Sequence, residues 1–353
     1  MKRRFLGLVL LLMLFLCGCD PSEFGEALAE EIVKTDGTAD VNGVIADYAS
    51  QAFGVSETSE DIGSGQVVEG KSQEEDISES SYVYSRDKLE VHFIDVGQGD
   101  AMLLLCDGEA MLIDAGDNDK GTLVQNYIFK QGVGRLKYVV GTHPDADHYG
   151  GLDVIITKFD CGDIILPSYE RATASCRDVY DAISYKGYSV MSPDVGTVLS
   201  LGGANITILA PVHYDYGDEV NNYSIALLVE HGKNKFLFTG DAENEAETDM
   251  VNTGRMTDVD VYKAGHHGSS SSSTSALLDS ISPEYAVISC GENNDYGHPH
   301  AAVLNRLRKM GVKVFRTDEQ GSIIAYSDGN EITWNCMPSV TWKAGEYISS
   351  EGQ

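Results

Sequence analysis

The stretch Gly141-Thr142-His143-Pro144-Asp145-Ala146-Asp147-His148-Tyr149-Gly150-Gly151 decides how this chain is read. Two histidines and two aspartates fall within six positions, directly after the apolar run LKYVV (136–140). Such groups are costly to bury unless they are paired or share a metal ion. Two readings follow: a metal-binding loop at a strand end, or a polar loop that is merely acidic. One aspartate after a strand would mean little, because Asp is a common turn former. The placement recurs, however. Asp114 follows MLI, Asp241 follows FLFTG, and His266 with His267 follows VYKAG. Strand ends on one edge of a layered α/β fold meet in space, so these positions are expected to converge.

Outward from this stretch, residues 88–335 read as α/β order. Segments such as LEVHFIDVG, AMLLLCDG, SIALLVEHG, YAVISCG and SIIAYSDG are rich in β-branched and aromatic residues and predict strands. Helical stretches fall between some of them, among them GTLVQNYIFKQG, CRDVYDAISYKG and AAVLNRLRKMG. Residues 336–353 are read as a C-terminal tail. Residues 20–87 hold 17 acidic and 3 basic groups, net −14, and are rich in Ser and Gly. That composition buries too little apolar area to offset ordering entropy and predicts a disordered acidic tether.

The first 19 residues have the form of an export signal. Lys2, Arg3 and Arg4 precede an apolar run from Phe5 to Leu16, which is short for a bilayer span. The run ends in LCGC, which resembles the bacterial lipobox and marks Cys19 for lipidation. The expected location is the outer face of the bacterial cytoplasmic membrane, held by lipid, with secretion as the alternative. Five cysteines remain beyond the signal (Cys106, Cys161, Cys176, Cys290, Cys336), an odd number without CxxC spacing. They form neither a disulfide framework nor a thiolate zinc site, and leave room for one disulfide in an oxidising compartment whose partners the spacing does not name. The whole chain carries a formal net charge of −30, and residues 88–335 carry 36 acidic and 18 basic groups, net −18. Such a surface repels nucleic acid unless metal ions or a basic patch intervene.

His143-Pro144-Asp145-Ala146-Asp147-His148 resembles the HxHxDH metal motif of the metallo-β-lactamase superfamily, in the variant form HxDxDH. With FIDVGQGDA (93–101), LIDAG (112–116), FTGD (238–241), GHHGS (265–269) and YGHPH (296–300), it resembles the hydrolase domain of ComEC-type DNA-uptake proteins. The membrane-channel segments of those proteins have no counterpart here, so the chain looks like a tethered, free-standing version of that domain. The resemblance implies an αββα four-layer sandwich with one or two divalent ions, Zn²⁺ or Mn²⁺, at its edge. By the same resemblance, His143 and Asp145 would hold one ion, Asp147, His148 and His266 the other, and Asp241 both. His267 is the alternative to His266, and otherwise supports the ligands from outside, as do Asp114 and Asp95. Asp147 and His298 are the catalytic candidates. Two features depart from the commoner pattern. Asp145 replaces a histidine, and the third histidine expected before Asp241 is missing, with Asn221, Asn222 and Ser224 in its neighbourhood. His92, His213 and His231 are read as structural. The run SSSSST (269–274) is either a flexible loop or a wall of the substrate cleft.

Metal-activated hydroxide is the expected nucleophile, and hydrolysis the expected reaction. The preferred substrate is a phosphodiester, with single-stranded DNA or another extracellular nucleic acid as the polymer. The alternatives are choline phosphate on cell-surface polymers, then a lactone or β-lactam, then a non-catalytic surface binding protein. The residues point to no protein partner.

Overall fold

The computed structural model describes residues 88–346. The signal segment with Cys19 and the acidic stretch 20–87 lie outside the described residues. Strands are numbered in chain order. The first sheet runs, side by side, β15 (Ile332–Trp334), β14 (Ile323–Ser327), β1 (Leu89–Phe93), β2 (Met102–Cys106), β3 (Glu109–Ile113), β4 (Arg135–Val140), β5 (Asp160–Ile165) and β6 (Val190–Met191). The second runs β13 (Lys313–Arg316), β12 (Tyr285–Ile288), β11 (Val261–Lys263), β10 (Asn234–Phe238), β9 (Ala226–His231), β8 (Ala204–Ala210) and β7 (Val198–Leu201).

Alternation along each strand sends side chains to opposite faces. Val91, Phe93, Leu104 and Ile113 of the first sheet meet Ile206, Leu227, Phe236 and Val261 of the second in one buried layer. The opposite face of the first sheet, with Leu103, Leu112, Val139 and Ile164, packs on helices α1 (Gly121–Lys130), α3 (Leu152–Lys158) and α4 (Ala174–Lys186). The opposite face of the second, with Leu228, Leu237, Tyr262 and Ala286, packs on α5 (Asn244–Asn252), α6 (Ser275–Ile281) and α7 (Ala301–Met310). Three apolar layers therefore separate helices, sheet, sheet and helices, as expected for the αββα class. Strands carrying apolar residues on both faces read as near-continuous hydrophobic runs because both faces are covered. Among the described residues no helix is long and apolar enough to cross a membrane.

The domain continues past the boundary expected at residue 335. Trp342 and Ala344 pack against the second sheet's helical layer, Ser339 N donates to Val314 O (2.7 Å) and Gly345 N donates to Pro299 O (3.0 Å). The segment lacks strand or helix periodicity, so hydrophobic patterning could not reveal it. Cys106, Cys161, Cys176, Cys290 and Cys336 are free thiols.

Two pairings set the position of the candidate site. β3 runs parallel to β4, and β10 runs parallel to β11, so the carboxyl ends of each pair share an edge. After β4 the chain forms a short helix α2 (Ala146–Tyr149) and turns at once into α3. Gly150 and Gly151 permit this. A Cβ on Gly150 would lie 2.2 Å from Asn118 N, and one on Gly151 would lie 2.3 Å from Ala115 O. The glycine pair after the HxDxDH motif thus lets its helix rest on the loop that follows β3.

Candidate metal centre

The cluster is built from four loops. Asp114 leaves β3 with a left-handed φ of 57°. Its Oδ1 accepts from Thr142 N (2.8 Å), and its Oδ2 accepts from Thr142 Oγ1 (2.7 Å) and from His148 Nδ1 (2.8 Å). That hydrogen bond fixes the proton of His148 on Nδ1 and turns Nε2 inward. Thr142 Oγ1 donates to Asp114 and so accepts from His143 Nδ1 (3.2 Å), leaving His143 Nε2 as an acceptor. On the facing side, His267 Nδ1 donates to Ser289 O (3.0 Å), which likewise turns its Nε2 inward.

The inward atoms meet closely. His148 Nε2 lies 3.3 Å from His267 Nε2 and 3.3 Å from Asp241 Oδ2. His267 Nε2 lies 3.3 Å from Asp241 Oδ2 and 3.2 Å from Asp147 Oδ2. Lone pairs and carboxylate oxygens at these distances repel unless positive charge lies between them. A tetrahedral ion with bonds of about 2.0–2.1 Å needs donors separated by about 3.3 Å. Four of the six separations among these atoms, the three to His267 Nε2 and the one between His148 Nε2 and Asp241 Oδ2, have that spacing. Two further buried donors, His143 Nε2 and Asp241 Oδ1, have no hydrogen-bonding partner among the described residues, and such orphans call for an explanation. The residues present fit a divalent cation.

The electrostatics agree. Burial opposes protonation of His148, yet Asp241, Asp114 and Asp147 raise its pKa well above the ordinary histidine value. Burial also opposes that of His267, and Asp241 and Asp100 raise it. Burial would raise Asp241, but His148, His267 and His266 hold it well below the usual carboxylate range. In the ion-free protein, protons on these imidazoles stand where a cation would supply charge. His143 differs: burial, then repulsion from His148, press its pKa down to about 4.

The two adjacent histidines exchange the places expected for them. Both have left-handed backbones, with φ of 49° at His266 and 53° at His267. This turn aims His267 into the cluster. His266 Nδ1 instead faces Glu243 Oε1 (3.1 Å), while its Nε2 stays 3.8 Å from Asp241 Oδ2. Asp145 lies at the edge, 3.8 Å from His143 Nε2, and is bound by Arg171. Asp95 is not brought in. Its Oδ1 accepts from Gly97 N (3.0 Å), closing its own turn, and it contacts none of the cluster's histidines.

Where a third histidine was missing, three residues brace the Asp241 loop. Ser224 Oγ accepts from Asp241 N (3.1 Å), Asn222 Oδ1 accepts from Glu243 N (3.0 Å), and Asn221 Nδ2 donates to Glu243 Oε1 (3.3 Å). His92, His213 and His231 take structural partners: Tyr127 OH, Asp249 and Ser327 Oγ respectively. The serine run is a packed buttress rather than a loose loop. Ser272 and Ser273 are fully buried, and Glu247 accepts from Ser273 N (2.6 Å) and Thr274 N (2.8 Å). His298 is buried beneath exposed Tyr296, with ring planes 18° apart and centroids 5.5 Å apart. Its ring centroid is 5.5 Å from that of His266, and burial followed by His267 and His266 push its pKa down to about 3.

Sequence reasoning passed over Asp100 and Lys263. One donor atom each from Asp100, His148, Asp241 and His267 lie within 4.8 Å of one another, and Lys263 is buried against Asp100. The available signal was a lysine inside the apolar strand β11, two residues before the histidine loop.

The sequence pattern of the Metallo-beta-lactamase superfamily matches residues 94–292. The chain is 30% identical over 256 residues to ComE operon protein 3 of Bacillus subtilis (strain 168), covering 66% of this chain and 32% of that protein. It is 30% identical over 244 residues to Recombination protein 2 of Haemophilus influenzae, covering 68% of this chain and 29% of that one. With Competence protein ComA of Neisseria gonorrhoeae it shares 32% identity over 233 residues, covering 65% of this chain and 31% of that one. It thus spans about a third of the length of these curated relatives. The matched segment holds the strand ends and every clustered donor described above, and the chain belongs to the metallo-β-lactamase superfamily.

Proposed function

We propose that the domain is a metal-dependent phosphodiesterase acting on nucleic acid, single-stranded DNA being the polymer of choice. The observation that carries the metal dependence is the convergence of His148 Nε2, Asp241 Oδ2 and Asp147 Oδ2 on His267 Nε2, each at 3.2–3.3 Å. His143 and Asp145 would complete a second position beside Asp241. Bound divalent ions, Zn²⁺ or Mn²⁺, supply Lewis acidity and an activated water at neutral pH. The chain's own residues do the rest. Asp114 and Thr142 hold His148 and His143 in the tautomers that face inward. His298, uncharged at neutral pH, offers an N–H to an anionic oxygen rather than a positive charge. The choice of nucleic acid rests on relatives named for competence and recombination. We further propose export and lipid anchoring through Cys19, on the strength of the LCGC ending of the apolar run.

The domain's negative charge adds a constraint. Few side-chain cations are available to exchange for counterions, so cleavage should depend strongly on added metal and only weakly on salt. The test is the full chain with Mn²⁺ or Zn²⁺, assayed on single-stranded DNA, bis-p-nitrophenyl phosphate, p-nitrophenyl phosphorylcholine and nitrocefin. Phosphodiester cleavage abolished by chelation is the expected result. Preference for the phosphorylcholine ester would move the substrate to surface polymers. Turnover of nitrocefin alone would make the domain a lactam hydrolase, and no turnover of any substrate would leave it a binding protein.

A further inference from the structure

Behind His267 lies an ion pair that takes no part in the donor set as described. Lys263 and Asp100 are both fully buried, and Lys263 Nζ lies 2.9 Å from Asp100 Oδ1. The ammonium also donates to Ala264 O (3.0 Å). The same carboxylate oxygen lies 3.3 Å from His267 Nδ1. Asp100 is tied to the other loops by its backbone as well: its N donates to Asp147 O (3.1 Å) and its O accepts from Gly116 N (2.9 Å). A buried ammonium beside a cation site is electrostatically adverse, and both charges are costly to desolvate. The arrangement has a consequence, however. Asp100 is one of the four residues whose donor atoms cluster; the ammonium holds its Oδ1 beside His267 Nδ1, and Oδ2 has no hydrogen-bonding partner among the described residues.

We propose that Asp100 is a positioning residue held in that role by Lys263. It supports His267 by its charge, 3.3 Å from the Nδ1 whose proton goes to Ser289 O, and the lysine keeps it from joining the ligands. Each of the two histidines then has a carboxylate beside its Nδ1, both from loops of the first sheet, with Asp100 alone needing a counter-charge. This inference rests on the metal-binding reading above.

The experiment uses the full chain stripped of metal by chelation. Binding is followed by Co²⁺ absorption spectra, which report the number and type of ligands, and by Zn²⁺ competition with a chromophoric chelator. Asp241→Ala is the reference for a lost ligand. Asp100→Asn should bind the same number of ions with an unchanged Co²⁺ spectrum and about 10–100-fold weaker affinity, the usual cost of losing an outer support. Lys263→Met should alter the spectrum towards higher coordination as the freed carboxylate joins the ion. The double variant Asp100→Asn/Lys263→Met leaves no buried charge unpaired, and so keeps the test open if a single variant does not fold. It should return to the wild-type spectrum with the affinity of Asp100→Asn. A Co²⁺ spectrum changed in Asp100→Asn or the double variant, as by a lost ligand, would overturn the proposal. So would wild-type affinity in both. If Asp241→Ala binds metal as the wild type does, the metal reading itself fails and this inference falls with it.

Discussion

His143 gives the metal-free protein a pH dependence whose sign and size can be worked out. The imidazole is fully buried, with Nε2 unpartnered and the His148 ring 4.2 Å away. Burial and then His148 hold its pKa at about 4, against a partial offset from Asp241 and Asp114. In the unfolded chain it titrates near ~6.5. The folded state therefore favours the neutral ring. Its contribution is complete above about pH 6.5 and is lost as pH falls from there through about 4. A gap of roughly 2.5 pH units at about 1.4 kcal/mol each amounts to about 3.5 kcal/mol, of which about 3 kcal/mol is expressed by about pH 4. That is a large share of the ~5–15 kcal/mol that stabilises a domain. The assay is urea unfolding of chelated full-length protein from about pH 8 to about pH 4, beside His143→Gln. At high pH the two proteins differ by a packing offset only. On acidification the wild type should lose about 3 kcal/mol more than the variant. Taking the difference removes titrations common to both, including those of His148 and His267, which act with the opposite sign because their pKa values are raised. Parallel loss in the two proteins would refute the reasoning.

Three other outcomes follow from the same geometry. Gly99 has φ of 127°, and a Cβ there would lie 2.4 Å from Asp147 O; Gly99→Ala should cost roughly 2–5 kcal/mol and weaken metal affinity by displacing Asp147, and a wild-type Tm with wild-type affinity would contradict this. Because His148 and His267 hold protons in the ion-free protein, metal binding should release protons and tighten as pH rises; calorimetry in buffers of different ionisation enthalpy checks it, and buffer-independent heats would count against it. Cys19→Ala should free the protein from membranes or block its processing; an unchanged mature mass with the protein still membrane-bound would dismiss the lipid anchor.

Much of the fold was legible because its signals are local. Strands covered on both faces read as unbroken apolar runs, and α4 announces both its ends, with Thr173 Oγ1 accepting from Cys176 N (3.3 Å) and left-handed Gly187 closing it. The edge where Asp114, His148, Asp241 and His267 meet was legible for a related reason: each follows a strand, and parallel pairing brings strand ends together. What patterning could not supply was direction. His266 and His267 are adjacent and chemically identical. Which one points inward depends on two left-handed backbone angles, a conformation unusual outside glycine. Asp100 escaped notice because its role exists only across the sheets, against a lysine 163 positions later. Residues 336–346 escaped because they pack without periodicity.

The donor set divides unequally, and the departure at Asp145 lies on the weaker side. His148 and His267 are each braced at Nδ1, by Asp114 and by Ser289 with Asp100, and both face Asp241 at 3.3 Å. On the other side, His143 is braced only by a hydroxyl, and Asp145 shares its carboxylate with Arg171. Asn221, which stands near the missing histidine, is bonded to Glu243. Arg171 holds Asp145 Oδ1, while Oδ2 is the oxygen nearest His143 Nε2, at 3.8 Å; on the other side His148 and His267 both close on Asp241 at 3.3 Å. The two positions should fill in sequence, the braced side first.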